Sequence, residues 1–161
     1  MSNLKYNIRQ AVSSDAKELI KLCAEHASYE KTIYNSSGKL TKIKKHLATS
    51  SSPLYCVVAE NLQGEILGYA TATIDFSTWE ADYFVHMDCL YLRPKARNSG
   101  IGKKLVAEIC KLAAAKNIKQ LQWQTPEHNI QAQKFYFRLG ATGKIKVRMF
   151  LDENKIQALL S

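Results

Sequence analysis

No stretch of the 161-residue sequence approaches the run of roughly 20 apolar residues that a membrane-spanning helix needs. The opening Met1-Ser2-Asn3-Leu4-Lys5 lacks the apolar core of a secretory signal. Neither internal repeats nor a low-complexity linker breaks the chain, and its length suits one compact domain rather than two. The cysteines, Cys23, Cys56, Cys89 and Cys110, form no Cys-x-x-Cys pair, and each sits in an apolar run. That pattern indicates neither a zinc site nor a disulfide framework, and leaves buried free thiols. A soluble cytoplasmic protein with a single domain over residues 1–161 is expected.

What is present is an ordinary globular composition, 46% hydrophobic and 23% charged. The formal charge of +9 comes from 23 Lys and Arg against 14 Asp and Glu. Such an excess attracts nucleic acid, a membrane surface or a phosphate-rich cofactor, although scattered lysines also serve simply as a solubilising surface. Asn7–Val12 reads as a first strand, and Ser13-Ser14-Asp15 as the cap of a helix to about Tyr29, with Leu19, Leu22, Cys23 and His26 on one stripe. A weaker helix spans Lys39–Ala48. Tyr55–Glu60 and Ile66–Phe76 form a hairpin about Gln63-Gly64, and Tyr83–Leu92 is a further strand closed by Pro94. A helix over Gly100–Lys116, a strand over Lys119–Thr125, a helix from Asn129 to Gly140, a strand over Lys144–Leu151 and a short terminal helix from Asp152 complete the order. The reading is an α/β (α+β) domain with a mixed sheet and helices on both sides.

The most informative segment is Leu90-Tyr91-Leu92-Arg93-Pro94-Lys95-Ala96-Arg97-Asn98-Ser99-Gly100-Ile101-Gly102-Lys103-Lys104-Leu105. A strand passes through a short polar turn into the start of an amphipathic helix. Gly100 and Gly102 lack a β-carbon, so a ligand can approach the backbone. The first amides of a helix have no intrahelical partner, and the helix dipole adds partial positive charge there, which makes an anion site. Arg97, Lys103 and Lys104 add full charges suited to phosphates. The P-loop pattern Gly-x-x-x-x-Gly-Lys-Ser/Thr is absent, and Leu105 replaces the third glycine of a dinucleotide fingerprint.

Arg-x-x-Gly-x-Gly after a strand resembles the acetyl-CoA-binding motif of the GNAT N-acetyltransferase superfamily. Asn129-Ile130-Gln131-Ala132-Gln133-Lys134-Phe135-Tyr136-Phe137-Arg138-Leu139-Gly140-Ala141 resembles that superfamily's second signature, in the family's order and spacing. The resemblance covers nearly the whole chain. It implies a central mixed, mostly antiparallel sheet of six to seven strands flanked by about four helices. It also implies acetyl-CoA as cosubstrate, no metal, and backbone contacts from Leu90, Tyr91 and Leu92 to the pantetheine arm. Amides from Asn98 through Ser99, Gly100, Ile101 and Gly102 to Lys103, with Arg97, would hold the pyrophosphate. Asn129, Ile130 and Gln131 would touch the cofactor further along, and Tyr136 would protonate the leaving thiolate.

Acetyl transfer to an amine requires loss of an ammonium proton, stabilisation of an oxyanion and departure of a thiolate. A phenol with a pKa near 10 is a suitable donor to a thiolate, which fits Tyr136. For the base, strict alternation from Tyr83 to Leu92 places Phe84, His86, Asp88, Leu90 and Leu92 on one side of the strand. His86 and Asp88 are thus the candidates, and a bulge would change the facing. Within the superfamily the chain is most similar to the diamine and polyamine branch, which includes thialysine acetyltransferases. Tyr29-Glu30, Trp79 and Asp88 match that branch's substrate-side residues, whereas Cys89 stands where a second acid is usual. Glu30, Asp75, Glu80, Asp82 and Asp88 could together form an acidic pocket for a cationic amine.

The resemblance therefore implies a small-molecule amine substrate and a homodimer. Acetyltransferases for an aminoglycoside, an amino acid or a protein N-terminus stay open, as does an acyl-CoA-binding domain without turnover. A basic nucleic-acid-binding module also stays open; it needs clustered lysines among exposed aromatics, whereas the aromatics here sit mostly on apolar stripes. Neither nucleic acid nor a membrane is an expected partner.

Overall fold

The computed structural model describes residues 5–160. The segment Met1–Leu4, read above as lacking a signal core, lies outside the described residues. The chain forms two compact units that meet at Asn129 and Ile130 in sequence. The first unit carries a sheet of five strands: β1 (Tyr6–Gln10), β2 (Tyr55–Asn61), β3 (Ile66–Ser77), β4 (Asp82–Leu92) and β5 (Leu121–Trp123). They lie side by side in that order. Neighbours from β1 to β4 are antiparallel and β5 runs parallel to β4. The β2–β3 turn follows from Asn61, whose side-chain oxygen accepts from the amides of Gln63 and Glu65 at 3.0 and 2.9 Å.

Three helices belong to this unit: α1 (Ala16–Tyr29), α2 (Lys39–Ala48) and α3 (Ile101–Ala115). α1 buries Ala16, Leu19 and Leu22 at helical spacing, and Leu19 and Leu22 join one cluster with Cys56, Val58, Tyr69 and Tyr91 of the sheet. Side chains alternate along a strand, so Val57 and Ala70 face the other way, towards α3, which packs on β2, β3 and β4. α3 buries Ile101, Leu105, Val106 and Ile109. Full burial of a Leu or Ile contributes about 1.5–3 kcal/mol. These two packed faces hold the end of β4 between α1 and α3.

Arg93, just past β4, pins that end. Its guanidinium donates to Glu18 at 2.7 Å, Glu25 at 2.8 Å and the Ile66 carbonyl at 3.0 Å. Gly68 on β3 lies opposite Leu92, and a β-carbon there would collide with the Leu92 side chain and the Tyr91 carbonyl. Glycine at 68 thus permits the close approach of β3 to the last residues of β4.

Several expectations need correction. Among the described residues the sheet has five strands rather than six to seven. The described residues form five α-helices, in keeping with about four; the second unit carries α4 (Ile130–Arg138) and α5 (Glu153–Ala158). The strand expected over Lys144–Leu151 does not form. Its alternation is real, but Ile145, Val147 and Met149 are 95%, 82% and 82% exposed, and a strand without a ladder has nothing to define it. The strand expected over Lys119–Thr125 shortens to β5. Of the thiols, all free, only Cys56 is fully buried; Cys110 is exposed on the outer side of α3.

Candidate active site

The ladder between β3 and β4 slips by one residue. Thr71 faces Cys89 while Ala72 faces Met87, so Asp88 is the extra residue of a β-bulge. The bulge overturns the alternation expected for this strand. His86 pairs with Thr73, Cys89 with Thr71 and Tyr91 with Tyr69, all on the α1 face. Leu90 and Leu92 turn to the opposite face, away from His86. Asp88 is exposed, and its carboxylate accepts a hydrogen bond from the Cys89 thiol at 3.5 Å.

At the same place the sheet opens. β5 accompanies β4 only across Val85, His86 and Met87. From Asp88 to Leu92, no described strand lies on that edge. Alternate backbone N–H and C=O groups of an antiparallel strand point away from its neighbour, so this length of β4 offers edge groups, although the Leu92 carbonyl is already taken by Arg97 Nε. A Pro94–Ala96 turn then leads to α3. Asn98 and Gly100 have φ of +58° and +85°. At Gly100 a β-carbon would meet nothing within 4 Å, so backbone conformation rather than crowding selects glycine.

The helical ladder of α3 starts with Lys104 N–H to the Gly100 carbonyl at 3.2 Å. The amides from Asn98 to Lys103 have no acceptor among the described residues, and no side chain caps the helix. Unpaired amides at the positive end of a helix dipole, beside exposed Lys103 and Lys104, suit a phosphate group. Arg97, expected beside the pyrophosphate, has contacts within the chain. Its Nε donates to the Leu92 carbonyl at 3.0 Å, and its guanidinium stacks on Tyr29, 4.2 Å from the ring centre. Its charge is therefore held at the α1 end of β4.

Tyr29 and Glu30 close α1. The Tyr29 hydroxyl donates to Asn129 at 3.3 Å, joining two expected site residues. A Glu30 carboxylate oxygen lies 3.3 Å from His26 Nε2. His26 was legible only as one member of the α1 stripe, yet it sits at the centre of a polar cluster. Its Nδ1 is 3.3 Å from the Tyr69 hydroxyl, and its ring stacks on Tyr91 with centroids 5.2 Å apart. The Cys23 thiol also reaches the Tyr69 hydroxyl, at 3.4 Å. Burial lowers the His26 pKa below its ordinary value, against the opposing pull of Glu30 and Asp88. Burial likewise raises the Tyr69 phenol, and pushes the Cys89 thiol up to about 12 with help from Asp88.

The five acids expected to form one pocket do not gather. Glu30 and Asp88 both act on His26, but Asp75, Glu80 and Asp82 lie at the far end of the β3–β4 hairpin. Asp82 and Asp88 are separated by roughly 20 Å of strand. Trp79, in the hairpin turn, is 92% exposed and is not brought against Tyr29, Glu30 or Asp88. In the second unit Ile130 and Gln131 are exposed on the first turn of α4. Tyr136 is buried on that helix, its ring centre 5.2 Å from that of Phe135.

Comparison with known proteins matches this arrangement to one family. The model of the acetyltransferase (GNAT) family matches residues 16–141. Thialysine N-epsilon-acetyltransferase of Bos taurus is 30% identical over 146 residues, which span 83% of this chain and 82% of that protein. The thialysine N-epsilon-acetyltransferase of Caenorhabditis elegans is 29% identical over 134 residues, 81% of this chain and 79% of that protein. Among solved structures, an aminoglycoside N-acetyltransferase in complex with CoA superposes with a TM-score of 0.77 at 19% identity, over 93% of this chain and 96% of that one. At that identity the likeness is one of fold. With most of its length matched by the family model and by curated relatives, the chain belongs to the GNAT acetyltransferase family and is an acetyl-transferring enzyme.

Proposed function

We propose that this enzyme moves an acetyl group from acetyl-CoA to a primary amine of a small cationic substrate, of the diamine, polyamine or thialysine type. The observation that carries the cofactor half is the open edge of β4 from Asp88 to Leu92, continued by the unpaired amides from Asn98 to Lys103. An extended amide-containing arm and a pyrophosphate need those two kinds of group in that order, so the residues fit CoA. Leu90, Tyr91 and Leu92 would pair with the arm, and the amides around Gly100 would hold the pyrophosphate. Ile130 and Gln131 are assigned to the cofactor by the family signature, as is Asn129.

Acetyl-CoA supplies the activated acyl group; the chain supplies binding and proton transfer. Asp88 offers an exposed carboxylate at the bulge to hold the ammonium and take part in its deprotonation. His86, on the same strand face as Cys89, is the alternative base. Tyr136 is assigned the donation of a proton to the thiolate by the match to the family signature. The cationic substrate class is supported by the acidic side chains of Asp88 and Glu30, whose charges both act on His26, and by the names of the curated relatives. We read residues 1–161 as one catalytic domain, since the family match crosses Asn129. By the resemblance to its branch it would be a homodimer, and we read it as cytoplasmic. Among the described residues no helix is long and apolar enough to cross a membrane.

Asp88→Asn tests the substrate half. Loss of a charge-assisted contact should raise KM for the amine by about 10- to 100-fold. KM for acetyl-CoA should change little. Steady-state kinetics with each substrate varied in turn would show it, and equal effects on both constants would remove Asp88 from amine recognition.

A further inference from the structure

The imidazole of His26 is held from three elements at once. On α1 itself, one turn further along, Glu30 places a carboxylate oxygen 3.3 Å from Nε2. From β3 the Tyr69 hydroxyl lies 3.3 Å from Nδ1, and from β4 the Tyr91 ring stacks on the imidazole with centroids 5.2 Å apart. The Tyr69 hydroxyl also meets the Cys23 thiol at 3.4 Å. An ionised carboxylate can only accept, so the proton of neutral His26 belongs on Nε2, on the side of Glu30. Nδ1 is then a lone pair to which the Tyr69 hydroxyl donates, and the Cys23 thiol donates in turn to the Tyr69 oxygen. The side chain of Glu30 stays 29% exposed, against 16% for His26, so its carboxylate is open to a ligand while the ring fixes it from behind. Holding a glutamate in one orientation removes in advance the entropy that a bound amine would otherwise have to remove.

We propose that His26 is a positioning residue for the amine substrate: its neutral ring presets the Glu30 carboxylate for the ammonium, and protonation of the ring withdraws that carboxylate. The inference rests on the acetyl-transfer reading above, in which acidic side chains receive a cationic amine. Neutral His26 leaves the charge of Glu30 uncompensated and available to the substrate. Imidazolium His26 neutralises Glu30 and adds a positive charge beside it, which disfavours a cation. His26 itself makes no bond to the substrate in this account, and it acts through Glu30.

The groups around the ring decide the pH behaviour. They are Glu30 and Cys23 on α1, Tyr69 on β3, Tyr91 and Asp88 on β4, and Arg97 beyond β4. Burial is the largest influence and lowers the pKa of His26 below its ordinary value; Glu30 and Asp88 favour imidazolium, and Arg97 opposes it. The ring is therefore neutral at neutral pH and above. The contribution of Glu30 to amine binding is present there, and it is lost as pH falls through the lowered pKa.

The test compares wild type, His26→Leu, His26→Gln and Glu30→Gln on the best amine, with melting curves for each. Leucine suits the apolar stripe of α1, and glutamine keeps an N–H donor for Glu30. At about pH 8, His26→Leu should raise KM for the amine about 10-fold with kcat and KM for acetyl-CoA unchanged, and His26→Gln should recover most of that loss. In wild type, KM for the amine should climb on acidification, and the climb should flatten in His26→Gln. Added to Glu30→Gln, His26→Leu should have little further effect, because the carboxylate it positions is gone. A folded His26→Leu enzyme with wild-type KM for the amine would overturn the proposal, as would an undiminished effect of His26→Leu in the Glu30→Gln background. Nitrogen NMR of wild-type His26, which needs no turnover, should find the proton on Nε2. Finding it on Nδ1 would overturn the positioning role while leaving acetyl transfer standing. Failure of wild type to acetylate any amine would overturn the inference together with the reading on which it rests.

Discussion

Tyr136→Phe is expected to lower kcat by about 100-fold or more, the usual contribution of a positioned general acid, with both KM values little changed. Phenylalanine keeps the ring that lies beside Phe135 on α4, so the helix and its packing should survive. What disappears is the hydroxyl proposed above to protonate the departing thiolate. The loss should therefore depend on the leaving group. An acetyl thioester of an acidic aryl thiol, whose anion departs without protonation, should recover much of the rate in the variant. Unchanged kcat with acetyl-CoA, or a loss equal for both thioesters, would take the acid role away from Tyr136.

Gly100→Asp should raise KM for acetyl-CoA by about 10- to 100-fold and leave KM for the amine nearly unchanged. Aspartate tolerates the left-handed backbone that Gly100 adopts at φ +85°, and space is open for its side chain. The turn into α3 should thus persist. The new carboxylate, however, would sit among the amides from Asn98 to Lys103 and occupy or repel from the place where a pyrophosphate would bind. Gly100→Asn, similar in shape but uncharged, should cost far less. Equal behaviour of the two variants would show that the turn is only structural.

Much of the fold was legible because periodicity reports local structure well. The apolar spacing in Lys39–Ala48 gave α2 end to end, and Pro94 with Gly100 marked the passage from β4 to α3. The bulge at Asp88 was not legible. No residue of Tyr83–Leu92 is a glycine or a proline, and the slip exists only in the register against β3. Lys144–Leu151 shows the converse: alternation states which side chains would share a face, not that a neighbouring strand exists. His26 was visible on the apolar stripe of α1, but Tyr69, 43 residues away, gives it a chemical environment only in the folded chain. The acidic pocket failed for a related reason. Counting Asp75, Glu80 and Asp82 with Asp88 ignored the length of hairpin between them.

Release of CoA thiol from acetyl-CoA, measured against spermidine, spermine, putrescine, thialysine, an aminoglycoside, amino acids and a lysine peptide, tests the central claim most directly. Turnover of the small cationic amines, well above that of the peptide and neutral amino acids, is the predicted result. Tight binding of acetyl-CoA with no thiol release on any of these amines would contradict it.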